Sequence, residues 1–93
     1  MSSDWELHLA EIARFEQQLE ELQQRYNKLE TRRKKIQRQL ERLRQQAGDS
    51  DIRIDKYRSQ LERVTKQQTS LLREQQQLEQ LITLLKQQNE KET

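Results

Sequence analysis

Apolar residues return every three and four places along almost the whole chain, and this period limits its fold more than any other feature. Residues 5, 12, 19 and each seventh thereafter are taken as position a of a heptad abcdefg, with d three places later. The a series is then Trp5, Ile12, Leu19, Tyr26, Arg33, Leu40, Ala47, Ile54, Leu61, Gln68, Gln75, Ile82 and Asn89. The d series is His8, Phe15, Leu22, Leu29, Ile36, Leu43, Ser50, Tyr57, Val64, Leu71, Leu78 and Leu85. Nineteen of these 25 positions are apolar, and the rest of the chain holds only nine more apolar residues. A repeat of 3.5 residues sustained this long is a coiled-coil seam, because only that spacing keeps one stripe turned toward a partner helix. Gln, Glu, Lys, Arg and Leu, all good helix formers, fill the other faces. Pairs four apart, such as Glu21–Arg25, Glu30–Lys34 and Glu62–Lys66, add local support.

Composition agrees with a thin helical object. Of 93 residues, 30% are apolar and 37% charged, too lean for a globular core. Disorder at such low hydrophobicity goes with high net charge and no period, whereas here the net charge is +2 and the period is strict. There is no cysteine, hence no disulfide framework and no thiolate metal site. No stretch approaches the roughly 18 apolar residues of a membrane span. The start, MSSDWELH, lacks the basic and apolar runs of a signal peptide. The expectation is a single coiled-coil domain over residues 1–93, soluble, intracellular and most simply cytoplasmic.

The central stretch AGDSD, residues 47–51, holds the only glycine in a chain without proline. Gly48 suits the left-handed residue that follows a helix end, while Asp49, Ser50 and Asp51 are all good N-caps. The heptad register runs through this point unbroken, so it permits one continuous helix of about 140 Å in a parallel dimer. It equally permits a hairpin, in which each a residue meets a d residue of the returning arm and paired positions add to 97. Leu43 then meets Ile54, Leu40 meets Tyr57, Ile36 meets Leu61, Tyr26 meets Leu71, Phe15 meets Ile82 and Ile12 meets Leu85.

Flanking charges favour the hairpin. A parallel dimer has one attraction, Arg25–Glu30, against three repulsions, Glu11–Glu16, Arg53–Arg58 and Glu74–Glu79, and stacks Arg33 on its own copy. The hairpin has two attractions, Arg25–Glu74 and Arg44–Asp51, against one repulsion, Glu16–Glu79. It also sets Arg33 beside Val64, where its stem packs and its head reaches water. The predicted fold is therefore all-α: an antiparallel coiled-coil hairpin with helix 1 over about 4–47, a turn at 48–50 and helix 2 over about 51–90, assembling into a helical bundle.

Folding back makes a dipolar rod. Residues 31–66, nearest the turn, carry twelve Lys or Arg and five Asp or Glu, a net +7, and the remainder carries −5. Eight of the nine apolar residues outside the seam fall in 1–13 or 72–84, which the hairpin brings together at its open end. A two-helix seam needs only a and d, so the extra leucines imply a second surface. The docking end is expected around Trp5, Leu9, Ile12, Phe15, Leu72, Leu81, Ile82 and Leu85, onto a second copy or another helical protein.

Nothing in the sequence reads as an active site. His8, the sole histidine, sits in a polar end layer opposite Asn89; Glu16, Glu20 and Glu21 lie on a solvated face without a pocket; no glycine-rich loop or ligand cluster exists. No enzyme activity, metal, cofactor or small-molecule substrate is expected. The stretch TRRKKIQRQLERLRQQ, residues 31–46, is the one with functional colour. Its plain reading is a solvated, helix-stabilising face. Its sharper reading is a site for an acidic partner or polyanion, built from Arg32, Lys34, Lys35, Arg38 and Arg42 with Arg53, Lys56, Arg63 and Lys66 of the other arm. No aromatic interleaves these cations, so any nucleic-acid binding would be unspecific and salt-sensitive. The asparagine-containing basic signature of leucine-zipper DNA binders is missing, and the seam continues through the stretch at Ile36, Leu40 and Leu43. No exposed apolar companions fit it to a membrane surface. Seventeen glutamines complete the picture, with Gln68 and Gln75 inside the seam, where buried polar groups lower stability but select register and partner. The expected role is a non-catalytic coiled-coil adaptor or structural component; the alternative is a small helical module that binds nucleic acid without sequence preference.

Overall fold

The computed structural model describes residues 2–48 and 50–92, with side chains for 6–48, 50–88 and 90. Two long helices, α1 (Ser2–Ala47) and α2 (Ile52–Glu92), pack side by side as a hairpin. The rod measures 70 × 14 × 14 Å. That is half the length of about 140 Å that an unbroken helix of this chain would reach, so the continuous form is excluded.

The turn forms for local reasons. Gly48 has φ of 76°, and its N–H donates to the Arg44 carbonyl at 3.0 Å, the single-bond cap of a helix that ends on a left-handed residue. A Cβ at Gly48 would meet nothing within 4 Å, so alanine there suffers only the backbone penalty of about 1–2 kcal/mol. Of the three candidate N-caps, Asp51 performs the task. Its Oδ1 accepts the Arg53 N–H at 2.9 Å, and its carbonyl accepts the Ile54 N–H at 3.0 Å. Asp49 lies outside the described residues. Arg53 also folds its guanidinium onto the Asp51 carboxylate, Nε to Oδ1 at 3.1 Å and Nη2 to Oδ2 at 2.8 Å. Those side-chain bonds, and then the backbone N–H of Arg53, hold the Asp51 carboxyl down at about 2. The expected cross-turn pairing of Asp51 with Arg44 thus gives way to a partner two residues away.

Among the described residues every buried side chain occupies an a or d position: Ile12, Leu22, Ile36, Leu40, Leu43, Ile54, Val64 and Ile82, with Gln68 and Gln75. Packing is densest beside the turn, where Ile54 is fully enclosed by Leu40 and Leu43 with Tyr57 and Leu61 against them. Short connections force neighbouring arms to stay close, so seam layers near the turn lose the most water. Off the seam, the hydroxyls of Thr31, Thr69 and Thr83 donate to carbonyls four residues back, which satisfies these β-branched residues inside a helix.

Candidate functional site

The antiparallel seam has two unlike flanks. On an α-helix e lies beside a, and g beside d; reversing one arm sets e against e and g against g. One flank of the rod therefore shows a and e, bounded by b, and the other shows d and g, bounded by c.

Polar groups of the seam collect on the a/e flank. Arg33, Gln68 and Gln75 are all a residues, whereas every d position from Phe15 to Leu85 is apolar except Ser50 in the turn. The Gln68 Nε2 crosses between the arms and donates to Glu30 Oε2 at 2.8 Å. Arg33 grips the same carboxylate, Nε to Oε2 at 3.0 Å and Nη2 to Oε1, so its head is engaged here instead of extending to water. These hydrogen bonds, Arg33 first and Gln68 second, take the Glu30 carboxyl from 4.5 down to about 2. Further along, Lys86 Nζ meets Glu16 Oε1 at 3.3 Å, which gives Glu16 a cation in place of the expected clash with Glu79. Gln75 is buried opposite Leu22, and its Nε2 has no hydrogen-bond partner.

The a/e flank keeps one groove beside the turn, lined by Gln37, Leu40, Arg44 and Leu61; the d/g flank is open over a longer stretch. One groove along it is lined by Gln18, Leu22, Arg25, Glu74, Leu78 and Leu81, and a second, sharing Arg25, by Lys28, Leu29, Gln67, Ser70 and Leu71. Arg25 and Glu74, expected to attract across the arms, sit on opposite rims of the first groove. Leu81 and Leu84 are 44% and 56% exposed on this flank, and Leu7 62%. Toward the open end the Arg14 guanidinium lies 5.6 Å from the centre of the Phe15 ring.

Charge differs between flanks as well as between ends: beside the turn the a/e side mixes Arg33, Lys34, Arg44 and Arg58 with acids, and the d/g side does not. In the half nearest the turn, Arg32, Lys35, Arg42, Arg53, Lys56 and Arg63 all stand at g or c positions. The four described acids of that half, Glu41, Asp51, Asp55 and Glu62, all stand at b or e. The d/g flank thus presents two rows of cations, with no described carboxylate of that half at g or c and only Arg53 engaged by one, that of Asp51, and Arg25 and Lys28 continue the α1 row for a total of about 25 Å.

These flanks sort the residues singled out from sequence. Of the nine basic ones, Arg32, Lys35, Arg42, Arg53, Lys56 and Arg63 share the d/g flank, with Arg53 tied to Asp51. Lys34 stands on the a/e side, while Arg38 and Lys66 are on the outer backs of their arms, Lys66 3.3 Å from Glu62. Of the eight proposed docking residues, Ile12 and Ile82 are buried in the seam and Phe15 and Leu85 are half-buried there, so they hold the arms together. Leu9 and Leu72 are exposed on the a/e flank at levels about 24 Å apart along the rod, too distant to form one patch. Leu81 belongs to the d/g groove, and the Trp5 side chain lies outside the described residues. Sequence reasoning missed Leu22, Leu78 and Leu84 as neighbours of Leu81, and Arg25 and Lys28 as part of the basic rows. Their g, c and d letters carried the signal, once the chain was known to fold back.

Among the described residues no group of three or more His, Cys, Asp or Glu side chains is placed to hold a metal, and no helix is long and apolar enough to cross a membrane. Comparison with protein-family models, with curated proteins and with solved structures gives no match.

Proposed function

We propose that this chain is a non-catalytic assembly module: the d/g flank of its open half packs against other helices, and the same flank near the turn receives an acidic partner. The observation that supports this reading is the sorting of Arg32, Lys35, Arg42, Lys56 and Arg63 onto one flank with the described acids of that half on the other. Exposed cations on a helix are ordinarily interspersed with acids; separating them desolvates no one and raises self-repulsion, a cost that a bound polyanion offsets. The seam also runs between the two rows, so an apolar ridge on an acidic helix fits this flank as well as a row of carboxylates does.

A second reading follows from the same rows. Two parallel lines of cations without carboxylates suit a phosphate backbone, with affinity that falls steeply with salt and ignores sequence. Two triple reversals test both readings at equal charge change. Lys35→Glu with Arg42→Glu and Lys56→Glu strikes the flank; Lys34→Glu with Arg38→Glu and Lys66→Glu strikes elsewhere. Binding to a glutamate-rich helical peptide and to a short DNA duplex is then followed from ~50 to ~200 mM salt. The expected result is that only the first triple weakens peptide binding, on the order of tenfold or more. Equal losses from both triples would refute a defined flank, and a gel shift with duplex but no peptide binding would favour the nucleic-acid reading.

A further inference from the structure

The open half of the d/g flank has the charge pattern of a surface made to meet itself. Along α1, the g residues are Glu11, Gln18, Arg25 and Arg32, and the c residues are Leu7, Arg14, Glu21 and Lys28. Place a second hairpin face to face and antiparallel, with its two-fold axis crossing the rod at Gln18. Each α1 then runs over the α1 of its copy, and facing positions add to 35 or 36. Arg25 meets Glu11 of the second copy, g to g. Arg14 meets Glu21 of the second copy, c to c. Lys28 falls beside Leu7, where its stem covers the leucine. The two charged matches come from different heptad positions, yet they select the same axis to within one residue. A parallel copy would instead lay α1 over the α2 of its copy, which keeps only an Arg25–Glu74 match and sets Glu11, Arg14 and Glu21 opposite Gln88, Leu84 and Gln77.

The apolar surface agrees with this axis. Leu78 lies one layer from Gln18 across the seam, and Leu81 shares its groove, so both cluster about the two-fold, with Leu84 a turn further out. On the opposite flank the Glu30–Gln68 hydrogen bond and the Glu16–Lys86 ion pair already bridge the arms, and its exposed leucines stand far apart. We infer that this chain forms an antiparallel homodimer through the d/g flank of its open halves, a four-helix bundle centred on Gln18, Leu78 and Leu81. The inference rests on the assembly part of the proposed function and makes it specific. It also has a consequence for shape: the overlapping open halves leave the basic turn halves projecting at both ends of a rod about 90 Å long. Such a dimer offers its cationic flank twice, at opposite tips.

Sedimentation equilibrium and spin-label distances test this on the full chain. The expected mass is twice 11.4 kDa. Labels at residue 18 should lie close together in the dimer, whereas labels at residue 46 should be about 84 Å apart. Arg14→Glu with Arg25→Glu turns every matched pair into a repulsion and should raise the dimer dissociation constant by on the order of tenfold to a hundredfold. Adding Glu11→Arg and Glu21→Arg should restore it, a rescue that a mere folding defect would not show. Helix content by circular dichroism should be the same in all three proteins, since these positions are exposed. A monomer at millimolar concentration, short distances at both labels, or a reversal without effect would each overturn the inference. None of these results touches the Lys35, Arg42 and Lys56 test, so the two readings fail separately.

Discussion

The two flanks of one seam share the same pair of helices and differ in nearly everything else. On the a/e side, Arg33, Glu30 and Gln68 form a hydrogen-bonded cluster between the arms, and Glu16 and Lys86 form a second bridge. On the d/g side an almost unbroken apolar line lies at the bottom of two open grooves, the first rimmed by Arg25, Glu21 and Glu74 and the second by Arg25 and Lys28 on one side and Gln67 and Ser70 on the other. The difference shows how a coiled coil separates two tasks. A polar group in the seam that finds its partner within the hairpin, as Gln68 does in Glu30, bridges the arms on the flank it faces, whereas Gln75 leaves a buried donor unpaired at a cost. The flank without such groups keeps its apolar line unbridged.

The largest effect should come from the apolar side. Ile36→Ala removes a buried d residue and should destabilise the hairpin by about 2–5 kcal/mol, seen as a lower urea midpoint at fixed protein concentration. A loss below about 1 kcal/mol would mean that the d line is not the structural core of the rod. Next, the two buried glutamines should part company. Gln75→Leu eliminates an unpaired donor and should stabilise by about 1–3 kcal/mol, whereas Gln68→Leu gives up a bond to Glu30 and should be close to neutral. Equal gains from both would contradict the pairing that distinguishes them.

Acid should act chiefly through the a/e flank and the turn. The Glu30 and Asp51 carboxyls are each held at about 2 in the folded chain, below their ordinary 4.5 and 3.8. A depressed folded value adds stability that is complete above the unfolded value and disappears as pH falls through the folded one. The urea midpoint should therefore be flat above about pH 5 and decline toward about pH 2. Glu30→Gln should flatten part of that decline, and an unchanged acid profile in this variant would remove Glu30 from the account. The smallest effect should come from Glu16→Gln. Its pair with Lys86 is half exposed on both sides, so water and salt screen it to a few tenths of a kcal/mol.

Much of this was legible beforehand because helical periodicity is a local property. The a and d letters named all ten buried residues among those described, and the Gly48 and Asp51 signals located the turn. Pairing of individual charges was legible only within one helix, as for Glu62 and Lys66. Glu16 chose Lys86, Asp51 chose Arg53 and Arg33 chose Glu30, since long side chains swing over several ångströms and settle energies of tenths of a kcal/mol by geometry that a register does not contain. The expected docking residues divide between seam and flanks for a related reason: counting apolar residues near the open end does not tell which flank each occupies.

The order of residues alone determined that the chain would be helical, striped at 3.5 residues and divided into a basic and an acidic half, because propensity, period and charge are read one helix at a time. Only the tertiary structure decided which stripe closes and which stays open. That choice depends on reversing one arm against the other, which gathers e with e and g with g, and so turns scattered letters of two helices into one edge bridged by polar pairs and one that is cationic beside the turn and leucine-lined toward the open end.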